Sequence, residues 1–243
     1  MRPAALPLLA VLAAGAHAAE APAPAPHSVE VNSMRNPEMR SYRSVWAGLD
    51  AFDEYRKMAP AAPLRFRVLG ADGKPVHTAD GLALRLASDD GSTPVAIDAA
   101  GLVDIARNRA AYDADAYFIL NQKRGRFGAR PEIRTPGLAD NVRRLGDLRL
   151  ECRVSVAIAK EQIPFLARAA INTMMLSTDW CGKKDMNASF PAEGELESAV
   201  ISHGGRSAEL ELESHRDTYM APLGNPAWPD DALITLKYAA PAP

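Results

Sequence analysis

Cysteine is scarce in this chain. Cys152 and Cys181 are the only two among 243 residues, and without a C-x-x-C spacing they do not form the ligand pairs of a zinc ribbon. Aromatic residues make up only 6%, which argues against a surface built to stack sugars. An excess of one charge is missing as well: 28 Lys and Arg against 30 Asp and Glu leave a net charge of −2. No global field therefore selects nucleic acid or an anionic membrane. The H-E-x-x-H zinc motif and the G-x-S-x-G nucleophile elbow are both absent. Gly70-Ala71-Asp72-Gly73 is not a phosphate loop, and a β-turn accounts for it. No apolar run reaches the roughly 20 residues a membrane-spanning helix needs, so no membrane span is expected.

What is present starts with an export signal. Met1-Arg2-Pro3 supplies a positive start, Ala4 to Ala14 a short apolar core, and Ala16-His17-Ala18 small residues at the cleavage positions. Residues 1–18 read as a signal peptide cleaved after Ala18, with no nearby Cys to carry lipid. The mature protein is expected outside the cytoplasm, in the periplasm of a Gram-negative host. In that compartment an even pair of cysteines reads as one disulfide, Cys152–Cys181. A metal site or a reactive thiol are the alternatives.

Residues 19–33 are Ala- and Pro-rich and read as a linker. Residues 34–60 predict an amphipathic helix. Asn36-Pro37-Glu38 resembles a start signal, and Met39, Tyr42, Val45, Trp46, Leu49, Phe52 and Tyr55 recur at helical spacing. This stripe either packs on its own domain or presents Tyr42, Trp46 and Leu49 as an interaction face. From Leu64 the period changes to two, and short strands alternate with turns through residue 127. Residues 128–147 are irregular, with breaks at Pro131 and Pro136-Gly137 and a helical turn over Leu138–Leu145. The run Leu148 to Ile158 alternates cleanly and predicts a strand whose inward face carries Cys152. Gln162–Leu176 predicts a helix with a small-residue face suited to packing on a sheet. Leu196–Ser202 and Arg206–Ser214 predict a hairpin around Gly204-Gly205, and Ala232–Tyr238 a last strand. The expected class is α+β, mainly β: an N-terminal helix, a β-sandwich over 62–127, and a disulfide-bonded α+β segment over 128–240.

The stretch LRFRVLGADGKPVHTADGLALRLASDD, followed by VAIDAAGLVDI, carries a D-G-K-P turn (Asp72–Pro75) and a D-x-x-G turn (Asp98–Gly101) between alternating strands. It resembles the carboxypeptidase-regulatory-like, or transthyretin-like, β-sandwich of extracytoplasmic proteins. The resemblance covers about residues 64–122, a quarter of the chain, and departs from the pattern at Ile97-Asp98, where Thr-Asp is usual. It implies a sandwich fold and a role as an accessory or interaction module. It carries over no catalytic residues, cofactor or metal.

For chemistry of its own the chain offers little. The histidines of the mature chain are His27, His77, His203 and His215, none paired at helical spacing. His203 and His215 lie on successive strands with Asp217 near, and together they are the candidates for a hydrolase or metal site. Charge is segregated: residues 123–153 hold nine Lys/Arg and four acids, and residues 185–231 hold ten acids and two bases. Either these faces are solvated or pair within the fold, or they form a dipolar surface that steers a charged envelope partner. The favoured expectation is a non-catalytic binding or protein-interaction module of the cell envelope. An envelope hydrolase using His203 and His215 is the alternative.

Overall fold

A computed structural model describes residues 35–76 and 81–240. The expected signal peptide (residues 1–18), the whole of the expected linker (19–33), His27 and His77 lie outside the described residues. The chain enters through strand β1 (Pro37–Ser41) and runs directly into helix α1 (Tyr42–Tyr55). The expected helix thus starts later than its apparent cap. Asn36 takes φ 64°, a left-handed turn conformation that Asn tolerates. Glu38 accepts a hydrogen bond from the Gly125 N–H at 2.7 Å. These polar residues fasten a strand edge and do not cap a helix.

Seven strands then build two facing sheets. Strands β2 (Leu64–Gly70), β3 (Leu84–Ser88), β4 (Gly91–Val95) and β5 (Leu102–Val103) follow the period-two pattern of the sequence. A short helix α2 (Arg109–Asp113), capped by the Asn108 side chain on the Ala111 N–H, leads to β6 (Tyr117–Lys123) and β7 (Phe127–Ile133). One sheet has the order β1-β6-β3-β4 and the other β5-β2-β7. Phe118, Leu84 and Leu86 of the first sheet and Phe66, Val68 and Val103 of the second share one apolar core with Tyr42, Val45 and Phe52 of α1. Gly101 shows why the D-x-x-G turn needs its glycine. It has φ 74°, and a Cβ there would fall 1.9 Å from the Val76 carbonyl oxygen. Pro131, expected to break the chain, sits inside β7. That strand pairs only with β2, so its outer edge needs no donor from proline.

The second half corrects the sequence reading more sharply. Leu138–Leu145 is not a helical turn. It forms a bend into strand β8 (Val142–Arg144). The run read as the strongest strand is helix α3 (Leu145–Gln162). The alternation misleads because α3 is wedged between two cores: Leu150 and Val154 face the sandwich, while Leu145 and Leu148 face a second cluster. A helix buried on two sides loses the single apolar stripe by which helices are recognised. Helix α4 (Phe165–Met175) follows Pro164, then strands β9 (Ala188–Pro191), β10 (Leu196–His203), β11 (Arg206–Glu209), β12 (Thr218–Ala221) and β13 (Leu233–Tyr238). The expected hairpin is present, with Gly204 and Gly205 at φ 56° and 79°, as a primed turn requires, but its second arm ends at Glu209 and does not run to Ser214. The sheet order is β11-β10-β13-β8, beside a separate β12-β9 pair. Leu196, Ile201, Tyr219, Ile234 and Leu236 fill the second core.

A buried polar seam joins the halves. Arg67 grips Glu132 with two hydrogen bonds of 2.6 and 2.7 Å. Glu151 of α3 accepts from Arg143 and from the Ile133 N–H, each at 2.7 Å. Burial pushes the Glu151 carboxyl up against the pull of Arg143. Burial also pushes the Tyr219 phenol beside them up to about 12.

Candidate functional site

The histidine candidates do not assemble. His203 ends β10, with Nε2 3.3 Å from the Asp231 carboxylate. His215 lies in the turn closed by the Arg216 N–H on the Glu213 carbonyl. The Arg216 carbonyl accepts from the Leu196 N–H at 2.7 Å, at the opposite end of β10. Seven strand residues at about 3.3 Å each put His203 on the order of 20 Å from His215 and Asp217. Among the described residues, no group of three or more His, Cys, Asp or Glu side chains converges to hold a metal.

The expected interaction face is also used elsewhere. Tyr42 is fully buried and Leu49 nearly so. The Tyr42 hydroxyl donates to the Ala106 carbonyl at 2.9 Å and accepts from the Asn108 N–H at 2.7 Å. Trp46 is half-buried, stacked obliquely on Tyr112 and covered by the Arg107 guanidinium 4.8 Å from its ring. The aromatic stripe of α1 is therefore core. The segregated charges meet in part: Arg149 pairs with Asp230 at 2.7 Å, and Arg134 lies 3.9 Å from Glu193.

What remains is a cleft with an exposed helix beside it. Cys152 of α3 is disulfide-bonded to Cys181, which pins the loop after α4 against α3. Helices α1 and α3 and this loop enclose a cleft of about 370 Å³, lined by Asp50, Tyr55, Arg153, Lys160, Asp179 and Trp180 among others. That volume falls in the range of ligand-sized pockets. Asp179 organises the loop. Its Oδ1 accepts from the Cys181 and Gly182 N–H groups at 3.1 and 2.7 Å, as well as from Arg153. Burial works against the carboxylate, yet the Gly182 N–H and Arg153 hold it below the usual aspartate range. Lys160 donates to the Thr178 carbonyl at 2.7 Å and lies 4.9 Å over the Trp180 ring. Burial lowers its ammonium from the ordinary lysine value. Arg153 stacks 4.5 Å over Tyr55. Asp179, Arg153, Lys160 and Trp180 are tied to the loop and to one another, an arrangement suited to holding its shape.

Helix α4 stands outside all of this. Phe165, Leu166, Met174 and Leu176 are 74%, 80%, 77% and 89% exposed, and none of its residues is buried. The expected packing of its small residues on a sheet is not found. Its inner side is held only lightly, by the Trp180 indole donating to Asn172 Oδ1 at 2.8 Å. On the outer side the Thr173 hydroxyl turns back to donate to the Ala169 carbonyl at 3.0 Å, so it offers no free polar group. One signal for this surface was in the sequence: between Phe165 and Leu176 the only charge is Arg168. A helix packed on a sheet needs a polar outer face, and this one has none to offer.

Comparison with protein-family models, curated proteins and solved structures finds no match to this chain.

Proposed function

We propose that this protein is an exported, non-catalytic interaction module that docks a partner on the exposed face of α4. The single observation that carries the reading is the outward apolar surface of that helix. Three large side chains of one short helix, with Leu176 just after it, left in water are unfavourable for an isolated molecule and mark an interaction site. The disulfide fits an oxidising compartment, and the export signal read in residues 1–18 supplies the route to it. The two facing sheets around one core suit the transthyretin-like resemblance, which would make residues 64–122 a scaffold and the second half the part that binds. No helix among the described residues is long and apolar enough to cross a membrane. The hydrolase reading has lost its geometry, because its histidines stand at opposite ends of β10.

The test is in-cell photocrosslinking of the exported protein. A photoreactive residue at Leu166 is expected to capture a discrete product, and one at the exposed Glu209 of β11 is not. Equal labelling from both positions, or none from Leu166, would overturn the proposal.

A further inference from the structure

The face of α4 has a pattern that identifies what could cover it. At 100° per residue, Phe165, Leu166, Ala169, Ala170, Thr173 and Met174 fall on one side. Those residues are exposed, while Arg168, Ile171, Asn172 and Met175 on the other side are partly covered by the body. The outer face is large at both ends and small in the middle, with no charge and no free hydrogen-bonding group. We infer that the occupant is α4 of a second copy, packed antiparallel about a twofold axis beside Ala169 and Ala170. This rests on the reading of α4 as a docking face.

Self-complementarity is the core of the argument. Reversing the helix about its centre brings Phe165 of one copy opposite Met174 of the other, Leu166 opposite Thr173 and Met174, and Ala169 opposite Ala170. The two alanines let the helix axes approach, and the bulky ends close over the gap. A twofold contact of this kind uses the same patch on both copies and closes the assembly at two. Arg168, the only charge on the helix, points away from the seam, so no like charges meet there. The area fits as well. At these exposures Phe165, Leu166 and Met174 each present on the order of 150 Å², so two copies would hide about 900 Å² from these side chains, and Ala169, Ala170 and Thr173 bring the contact to roughly 1,000 Å², the threshold for a specific interface. An interface of that size without buried ion pairs predicts reversible association in the micromolar range.

The test uses the full mature chain with its native disulfide intact. Sedimentation equilibrium over micromolar concentrations is expected to show monomer and dimer, with L166E monomeric and equally well folded by circular dichroism. A170C lies at the axis and is expected to crosslink to itself under mild oxidation, whereas R168C, on the covered side, is not. A strictly monomeric wild type would overturn the inference, as would crosslinking of R168C equal to that of A170C. If the wild type is monomeric but L166E still abolishes capture of another protein in cells, the docking face stands and the second-copy assignment fails. Binding of the monomer to phosphatidylglycerol vesicles through α4 would also overturn the assignment. If L166E changes neither association nor capture, both readings fail together.

Discussion

Helices α1 and α4 are the two most apolar-looking helical stretches among the described residues, and they end in opposite environments. The α1 face of Tyr42, Val45, Leu49 and Phe52 is sealed into the sandwich core. The α4 face of Phe165, Leu166 and Met174 is open to solvent. An apolar stripe alone says that something must cover it, not which surface will. The difference lies on the other side of each helix. Around its core face α1 carries Asp50, Asp53 and Arg43, with Arg107 bridging Asp50 and Asp53 at 2.7 and 2.6 Å, so its outer side is finished for water. The outer side of α4 has no such finish, and the body holds it by one indole–amide hydrogen bond and a few partly covered residues.

The largest expected effect breaks the comparison directly. Phe52 is 7% exposed, so F52D removes a core ring and buries a charge. The cost should be about 4 kcal/mol or more, enough to unfold a domain of ordinary stability. L166D, at a position 80% exposed, should move stability by no more than about 0.5 kcal/mol. Urea unfolding of the two variants checks this. Comparable losses would mean that α4 is also part of the core.

A smaller effect sharpens the contrast by loosening only the α4 side. Cys152 and Cys181 are 29 residues apart, and the enclosed loop contains all of α4. Opening that loop with the C152A/C181A pair is expected to cost about 3 kcal/mol. Amide exchange should divide unevenly. The α4 and loop amides should lose protection well beyond the global change, while α1 amides follow global unfolding alone. A uniform loss across both helices would show that the disulfide stabilises the whole chain and does not specifically restrain α4.

Legibility followed the same division. Strands β2 to β4 and the Gly204-Gly205 hairpin could be read because period-two patterning and turn glycines act locally. Helix α3 could not, since Leu150 and Val154 serve one core and Leu145 and Leu148 the other. Its buried Glu151 and Asp147, which answer Arg143 and Thr135, look like a solvated strand face when partners are unseen. The separation of His203 from His215 was within reach of the sequence. His203 abuts the hairpin tip, and the chain after Gly205 must travel away from that tip before reaching residue 215. The exposure of α4 was only half legible: its lack of charge was visible, but a helix meant for its own core and one meant for another molecule have the same composition.

The smallest expected effect concerns how α4 is held. Asp179 keeps its loop wound through the Cys181 and Gly182 N–H groups and Arg153, and the same loop places Trp180 against Asn172 of α4. The carboxyl is held below the ordinary aspartate value, so its contribution is complete above the unfolded value near 4 and is lost as pH falls through the lower folded value. Protonating Asp179 removes the charge that Arg153 and the Cys181 and Gly182 N–H groups grip. Trp180 fluorescence should therefore shift below about pH 4 while α1 amides remain protected, and D179N should already show the acid-form signal at neutral pH with no further transition. A wild-type transition that survives unchanged in D179N would assign the effect to other carboxylates and leave α4 as firmly seated as α1.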